Sequence, residues 1–205
     1  MNISILDSLL EDYISENEFQ IACGAYCLYE LYWEKKYSLP QVAYVLDSFL
    51  QDPNFYFRSG KISDCLEQLE RLAKIYKQDR FDNPSIVERC MQIIVHQPAT
   101  LTLSQLSAKM ELSSSYLSFV ISKNTGSTFR NIIMGYKLIL FVDILLHHPD
   151  KSIEDISYQI GYASIHQFSK GFKKYTKICP SSFKKNLLLI QCVEQHSLPR
   201  LASLA

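Results

Sequence analysis

Four lysines, Lys170, Lys173, Lys174 and Lys177, recur at intervals of three and four residues, the spacing that gathers side chains on one face of a helix. Directly before them stand His166 and Gln167. A glutamine amide can pair with adenine through two hydrogen bonds, a lysine can donate to guanine, and an ammonium group neutralises phosphate without regard to sequence. About fifty residues upstream, Ser114, Ser115, Ser118 and Phe119 precede Lys123 in a similar arrangement. Serine hydroxyls reach less far and tolerate either partner, and a phenyl ring touches a thymine methyl but cannot make a bidentate guanine contact. Taken alone, each series also describes an ordinary solvated face, so the elements carrying it must decide.

Those elements occur twice. Shifted by 50 residues, Leu103, Leu106, Ser107 and Met110 coincide with Ile153, Ile156, Ser157 and Ile160; with one residue more, Leu117, Ile121 and Lys123 coincide with Phe168, Phe172 and Lys174. Each copy has the layout of a helix-turn-helix. In the first, Thr102 and Gln105 form a capping box for a helix through Met110, Glu111 and Leu112 turn the chain, and Ser113 caps a second helix. Tyr116, Leu117, Val120 and Ile121 are expected on its buried face, with Ser114, Ser115, Ser118 and Phe119 outward. The second copy runs from Ser152 to Ile160, turns at Gly161, where a positive φ is commonly needed, and restarts near Ser164. There Phe168, Gly171 and Phe172 are expected inward, and Ile165, His166, Gln167, Ser169 and Lys170 outward. Between the copies, residues 128–147 contain no breaker apart from Gly135 and make a rod of about 30 Å, close to the roughly 34 Å of one DNA turn.

The formal net charge is zero, but the charges are segregated. Residues 1–83 hold 8 basic against 14 acidic side chains, a net −6, whereas residues 84–189 hold 12 against 6, a net +6. A polyanion partner is therefore expected for the second part only. Apolar positions recur at helical spacing through the first part as well: Ile5, Leu6, Leu9, Leu10 and Tyr13, then Val42, Val45, Leu46 and Phe49, then Ile62, Leu66, Leu69, Leu72 and Ile75. Ser38 before Leu39 and Pro40, and Asn83 before Pro84, supply start signals. The polar run of residues 77–83 marks a boundary between an acidic helical domain, 1–82, and a basic one, 83–190, with a tail over 191–205; the basic part is expected to fold alone. The fold class is all-α.

The second block has the specific signature. Ile153, Ile156, Ser157, Gly161, Tyr162, Ser164, Phe168, Phe172, Lys173 and Pro180 fit a spaced pattern that resembles the DNA-binding domain of AraC/XylS regulators over roughly residues 84–185. The resemblance implies a seven-helix domain with two helix-turn-helix units joined by a long helix, recognition helices in adjacent major grooves, and transcriptional control at promoters. It also implies base or phosphate contacts from Ser114, Ser115, Ser118, Phe119, Lys123, Ile165, His166, Gln167, Lys170, Lys173 and Lys174, with Gly126, Lys137, Gly161, Phe168, Phe172 and Pro180 structural. Three positions depart from the family's habit: Phe119 stands for an arginine, Lys177 for a glycine and Cys179 for a threonine. Lys137 stands where the family often has arginine, which leaves a buried or a phosphate contact open.

Such regulators commonly carry a β-rich ligand domain first, for which this sequence lacks the strands. Tyr26, Tyr29, Tyr32, Trp33, Tyr37 and Tyr44 instead crowd a helical segment. They read as a core stacked with aromatics, as a homodimer or regulatory-protein surface, or as a pocket for a small apolar effector. Double-stranded DNA and RNA polymerase are the expected partners of an activator in a bacterial cytoplasm. An anti-activator acting through the N-terminal half is the alternative. Neither a catalytic motif nor a cofactor is evident, and the six cysteines lack zinc spacing, Cys23 and Cys27 reading as small buried hydrophobes. No secretory signal opens the chain, and the apolar stretch from Phe19 to Trp33 is shorter than the roughly 20 residues of a bilayer crossing.

Overall fold

The computed structural model describes residues 16–35, 37–56, 62–75, 84–97 and 101–197. The expected first helix around Ile5 to Tyr13, the cap Asn83 and the boundary run 77–83 lie outside them. Eleven helices and no strand occur among the described residues: α1 (Glu16–Trp33), α2 (Leu39–Gln51), the single turn α3 (Pro53–Tyr56), α4 (Ile62–Ile75), α5 (Pro84–His96), α6 (Leu103–Met110), α7 (Ser114–Thr125), α8 (Phe129–His147), α9 (Ile153–Gln159), α10 (Ile165–Thr176) and α11 (Pro180–Ser197). The last helix continues past Ile190, where a tail was expected. Seven helices, α5 to α11, make up the basic half, as the resemblance implies.

Short polar side chains fix where the helices start. Ser38 donates through its amide and its hydroxyl to Gln41 Oε1, at 3.0 and 2.8 Å, ahead of Pro40 in the first turn of α2. At the other caps, the hydroxyls of Thr102, Ser113, Thr128, Ser152 and Ser164 each accept from the amide three residues on, at 3.0 to 3.2 Å.

The long helix α8 is apolar nearly all round, and such a helix must be covered on every side. Its first half contributes Ile132, Ile133 and Tyr136 to a core shared with α5, α6 and α7. Its second half, with Leu138, Phe141, Val142 and Leu145, joins a second core that runs from Ile21 to Ile190 and takes in α1, α2, α4, α9, α10 and α11. Phe141 lies at ring-centroid distances of 5.2 Å from Phe168, 5.3 Å from Phe172 and 5.8 Å from Phe183. Helix α2 reaches α8 at Gly135, where a Cβ would stand 2.9 Å from Leu46 Cδ2. The change of charge near residue 83 is thus no division of the core: the acidic helices cover the scaffold on which the second unit is mounted.

Of the crowded aromatics Tyr29 is buried, and Tyr26, Tyr32, Trp33, Tyr37 and Tyr44 are half-buried against the larger core. Tyr32 meets Trp33 edge-on at 5.0 Å and Tyr136 of α8 at 5.8 Å. Burial pushes the Tyr136 phenol far above its ordinary range, reinforced by the neighbouring Tyr32.

Candidate nucleic-acid interface

Helices α6 and α7 form the first unit, α9 and α10 the second, and the two follow one internal plan. Ser107 Oγ donates to the Ser104 carbonyl at 2.9 Å, and Ser157 Oγ to the Glu154 carbonyl at 2.7 Å. The turn after each first helix passes through a left-handed residue, Glu111 at φ 57° and Gly161 at φ 84°. Each second helix also ends in one, Gly126 at φ 69° and Lys177 at φ 70°. Just before that exit, a buried threonine donates to the carbonyl four residues back: Thr125 to Ile121 at 2.7 Å, Thr176 to Phe172 at 2.9 Å. The same hydroxyls meet the backbone of Ser127 and Ile178 beyond the turn. A helix end that would leave its carbonyls open is closed identically in both units.

At 100° per residue, His166, Gln167, Lys170, Lys173 and Lys174 fall within a stripe of about 120° on α10, and Lys177 follows as its C-cap. All six are exposed, while Phe168, Phe172 and Thr176 point into the core. The 51-residue register carries that stripe onto Ser115, Tyr116, Phe119, Ser122 and Lys123 of α7. Tyr116 is 42% exposed and Phe119 60%. The expectation that Tyr116 is buried fails, because it stands where the second unit has Gln167 and so faces the same way. Ser122, opposite Lys173, is the second member that sequence reasoning missed, and the repeat register was the signal that could have found both.

Two expected contact residues turn inward. Ser114 is half-buried, its hydroxyl 2.8 Å from that of Ser107 on the preceding helix. Ile165, at the equivalent place, is half-buried and packs against the larger core. Ser118 and Ser169 flank their stripes, half-buried. Gly171, expected inward, is only half-buried, with the Tyr162 ring 4.0 Å from where its Cβ would stand.

Local contacts tune the outward groups. Gln167 bends back so that its Oε1 accepts from the Ala163 amide at 3.3 Å, which occupies one of the two atoms a bidentate adenine contact needs. Lys123 lies over the Phe119 ring, 5.7 Å from its centroid. Lys137 is 8% exposed with its ammonium 4.2 Å from the Tyr162 ring centroid, and burial lowers its pKa. It thus lies within the packing and outside the exposed stripe. Beside α10, a groove of about 820 Å³ is walled by Ile153, Gln167, Lys170, Lys173, Pro180 and Ser181. No described helix is long and apolar enough to cross a membrane.

Such paired, equally oriented outward helices on either end of one buried rod define a double helix-turn-helix, and the comparisons agree. Residues 106–186 match the family described as a helix-turn-helix domain. This half of the chain is similar to the helix-turn-helix regions of bacterial transcription regulators. Over 96 residues, 46% of the chain, it is 31% identical to the Msm operon regulatory protein of Streptococcus mutans and covers 34% of that protein. Over 93 residues it is 27% identical to the HTH-type transcriptional regulator YdeC of Bacillus subtilis, covering 32% of it. The chain thus spans about a third of the length of these two relatives. The C-terminal domain of AraT, a response regulator from Geobacillus stearothermophilus, aligns with a TM-score of 0.47 at 27% identity over 49% of this chain and 84% of that domain.

Proposed function

We propose that the chain is a sequence-specific DNA-binding transcription regulator of the bacterial cytoplasm, acting at promoters as an activator. The observation that carries this reading is the matched pair of outward stripes on α7 and α10, set by one register and mounted on the two halves of α8. Nineteen residues give that rod a length of about 28 Å, suited to two successive major-groove openings on one face of a duplex. One chain can therefore grip one duplex without dimerising. The second unit carries the cationic stripe, so it is assigned most of the phosphate neutralisation and the base reading.

The acidic helices, residues 1–82, are read as the regulatory part: they hold the back of both units and offer the surface for a second copy, RNA polymerase, another regulatory protein or a small apolar effector. A second reading has one observation in its favour. The outward stripe of α7 presents Tyr116 and Phe119 with a single lysine, a composition suited to docking a protein, as in an anti-activator.

A mobility-shift titration separates them. A regulator binds its own upstream region more tightly than random duplex, and both affinities fall as salt rises, with a log–log slope of about −4 to −5 if five lysines each neutralise one phosphate. Equal, salt-insensitive or absent binding supports the anti-activator.

A further inference from the structure

Cys23 and Cys27 stand one turn apart on α1, and Cys65 faces them from α4. All three are fully buried, and their three sulfur atoms lie within 4.8 Å of one another. Cys27 is close enough to donate its S–H to the Ile62 carbonyl at 3.9 Å. An atom at the centre of such a triangle is at most about 2.8 Å from each sulfur, against about 2.3 Å for a zinc–thiolate bond, so a contraction of about half an ångström closes it. Packing of small hydrophobes explains one buried cysteine at a time; it does not explain three from two helices converging on a point.

We propose that these three cysteines bind a trivalent, three-coordinate thiophilic ion of the arsenite or antimonite class. Two features select that class. Among the described residues no histidine, carboxylate or fourth cysteine joins the group, so a zinc ion would lack the fourth ligand of its usual tetrahedron. Charge selects further. Three thiolates around a divalent ion leave a net −1, and around a cuprous ion −2, inside a core where uncompensated charge is costly. Arsenous acid reacts without that cost: As(OH)3 plus three Cys–SH gives As(S–Cys)3 plus three H2O. Three S–H and three As–OH bonds break, three As–S bonds and three water O–H bonds form, no atom is oxidised or reduced, and the product is neutral. Soft sulfur donors suit such an ion.

The site is joined to the other half of the chain by continuous packing, since α1 lies on α8 and α11, and α1 and α4 both lie on α2. On the reading under Proposed function, this gives the regulator a metalloid effector. Binding is tested without DNA, so the two readings fail separately.

The full chain is reduced and incubated for hours with sodium arsenite, then weighed intact under native conditions. A Cys179→Ser/Cys192→Ser variant removes the two more accessible thiols. The expected result is one adduct per chain, heavier by one arsenic less three hydrogens, in both proteins. Cys65→Ala and, separately, Cys27→Ala raise the dissociation constant by about 100-fold or more, as loss of one tether of three implies. Each variant's melt without arsenite shows that it is folded, and having two variants guards against failure of one. The proposal is overturned if the full chain takes up no arsenic, if the adduct survives in both alanine variants, or if only a two-hydrogen loss on mild oxidation is seen, the mark of a disulfide pair.

Discussion

Asp47 of α2 accepts a hydrogen bond from the Tyr175 hydroxyl of α10 at 3.4 Å, across 128 positions of sequence. The same carboxylate accepts from Ser127 at the exit of the first unit and from the Asn131 amide of α8 at 3.5 Å. One acidic side chain of the N-terminal helices thus touches the ends of both units and the rod between them.

The first prediction concerns this tie. Burial pushes the Tyr175 phenol far up, with Asp47 adding to the shift, so the hydroxyl stays protonated and available as a donor. Asp47→Ala removes an acceptor shared by Ser127, Asn131 and Tyr175, of which the Tyr175 hydroxyl keeps the Asn131 carbonyl at 3.3 Å, and is expected to cost about 1–3 kcal/mol. Tyr175→Phe is expected to cost less, because donor and demand leave together. Denaturant unfolding of both single variants and the double variant measures the coupling; strict additivity would mean that the contact contributes nothing.

Backbone geometry makes a second prediction. Glu111 and Lys177 hold left-handed conformations that cost an L-residue roughly 1–2 kcal/mol, and the positions related to them by the repeat are glycines. Glu111→Gly and Lys177→Gly should stabilise the chain by up to about 1 kcal/mol each, after part of the relief is offset by a more flexible unfolded chain. Gly161→Ala and Gly126→Ala should destabilise it by similar amounts. Thermal melts of the four variants decide, and destabilisation by either substitution to glycine would show that its side chain holds more than its backbone costs.

These turns also show how far the sequence could be read. Capping at Thr102, Ser113, Ser152 and Ser164, and the apolar faces of α7 and α10, were legible because helix signals are local and repeat themselves. The positive φ at Gly161 followed from residue type, but that at Glu111 did not, since only the repeat makes a glutamate equivalent to a glycine. Tyr116 was misread for the same reason: an aromatic residue suggests burial until the register pairs it with Gln167. Asp47 was invisible because its partners lie 80 to 128 positions away. The continuity of the core from Ile21 to Ile190 was likewise hidden, since charge changes at residue 83 while apolar packing does not.

That continuity changes what a fragment should do. A chain of residues 83–190 would uncover the apolar faces of α8 and α11 that α1 and α2 protect. Full burial of one Leu, Ile, Val or Phe side chain is worth about 1.5–3 kcal/mol, so uncovering a few of them rivals a typical net stability of about 5–15 kcal/mol. The fragment is expected to aggregate or to melt far below the full chain, contrary to the independence its charge suggested. Circular dichroism and sedimentation of both constructions test this; an equally stable monomeric fragment would make the N-terminal helices an accessory.

A pH dependence follows from Glu70 of α4. It pairs with Lys35, accepts from Lys74 at 2.8 Å and from the Tyr37 hydroxyl at 3.2 Å, and its pKa falls to about 2, chiefly through the Lys35 and Lys74 hydrogen bonds. A carboxylate with a depressed folded pKa stabilises the fold above its unfolded value and loses that contribution as pH falls toward the folded one. The stability gap between the native chain and Glu70→Gln should therefore be level above about pH 5 and close progressively toward pH 2. Partial exposure and solvent screening hold it to about 1 kcal/mol. A gap independent of pH would assign the contribution to shape rather than charge.

The last prediction separates reading from gripping on α10. Lys173→Ala should weaken specific and random duplex alike and make the salt slope shallower by about one, because a phosphate contact carries no base information. Lys170→Ala should cost about 1–3 kcal/mol on the specific site alone and relax one or two base pairs. Gln167 differs, because its Oε1 is engaged by the Ala163 amide. A bidentate adenine contact first releases that bond, so Gln167→Ala should cost specific binding less than Lys170→Ala, toward 1 kcal/mol. On α7, Phe119→Ala should lower affinity only for sites with a thymine methyl in reach, while Ser114→Ala should act on folding, since that hydroxyl bonds Ser107. Titrations on the specific site, its single base-pair variants and random duplex compare all five. If the α7 substitutions cost more specific binding than those at 167 and 170, readout belongs to the first unit, and the cationic stripe of α10 is only a clamp.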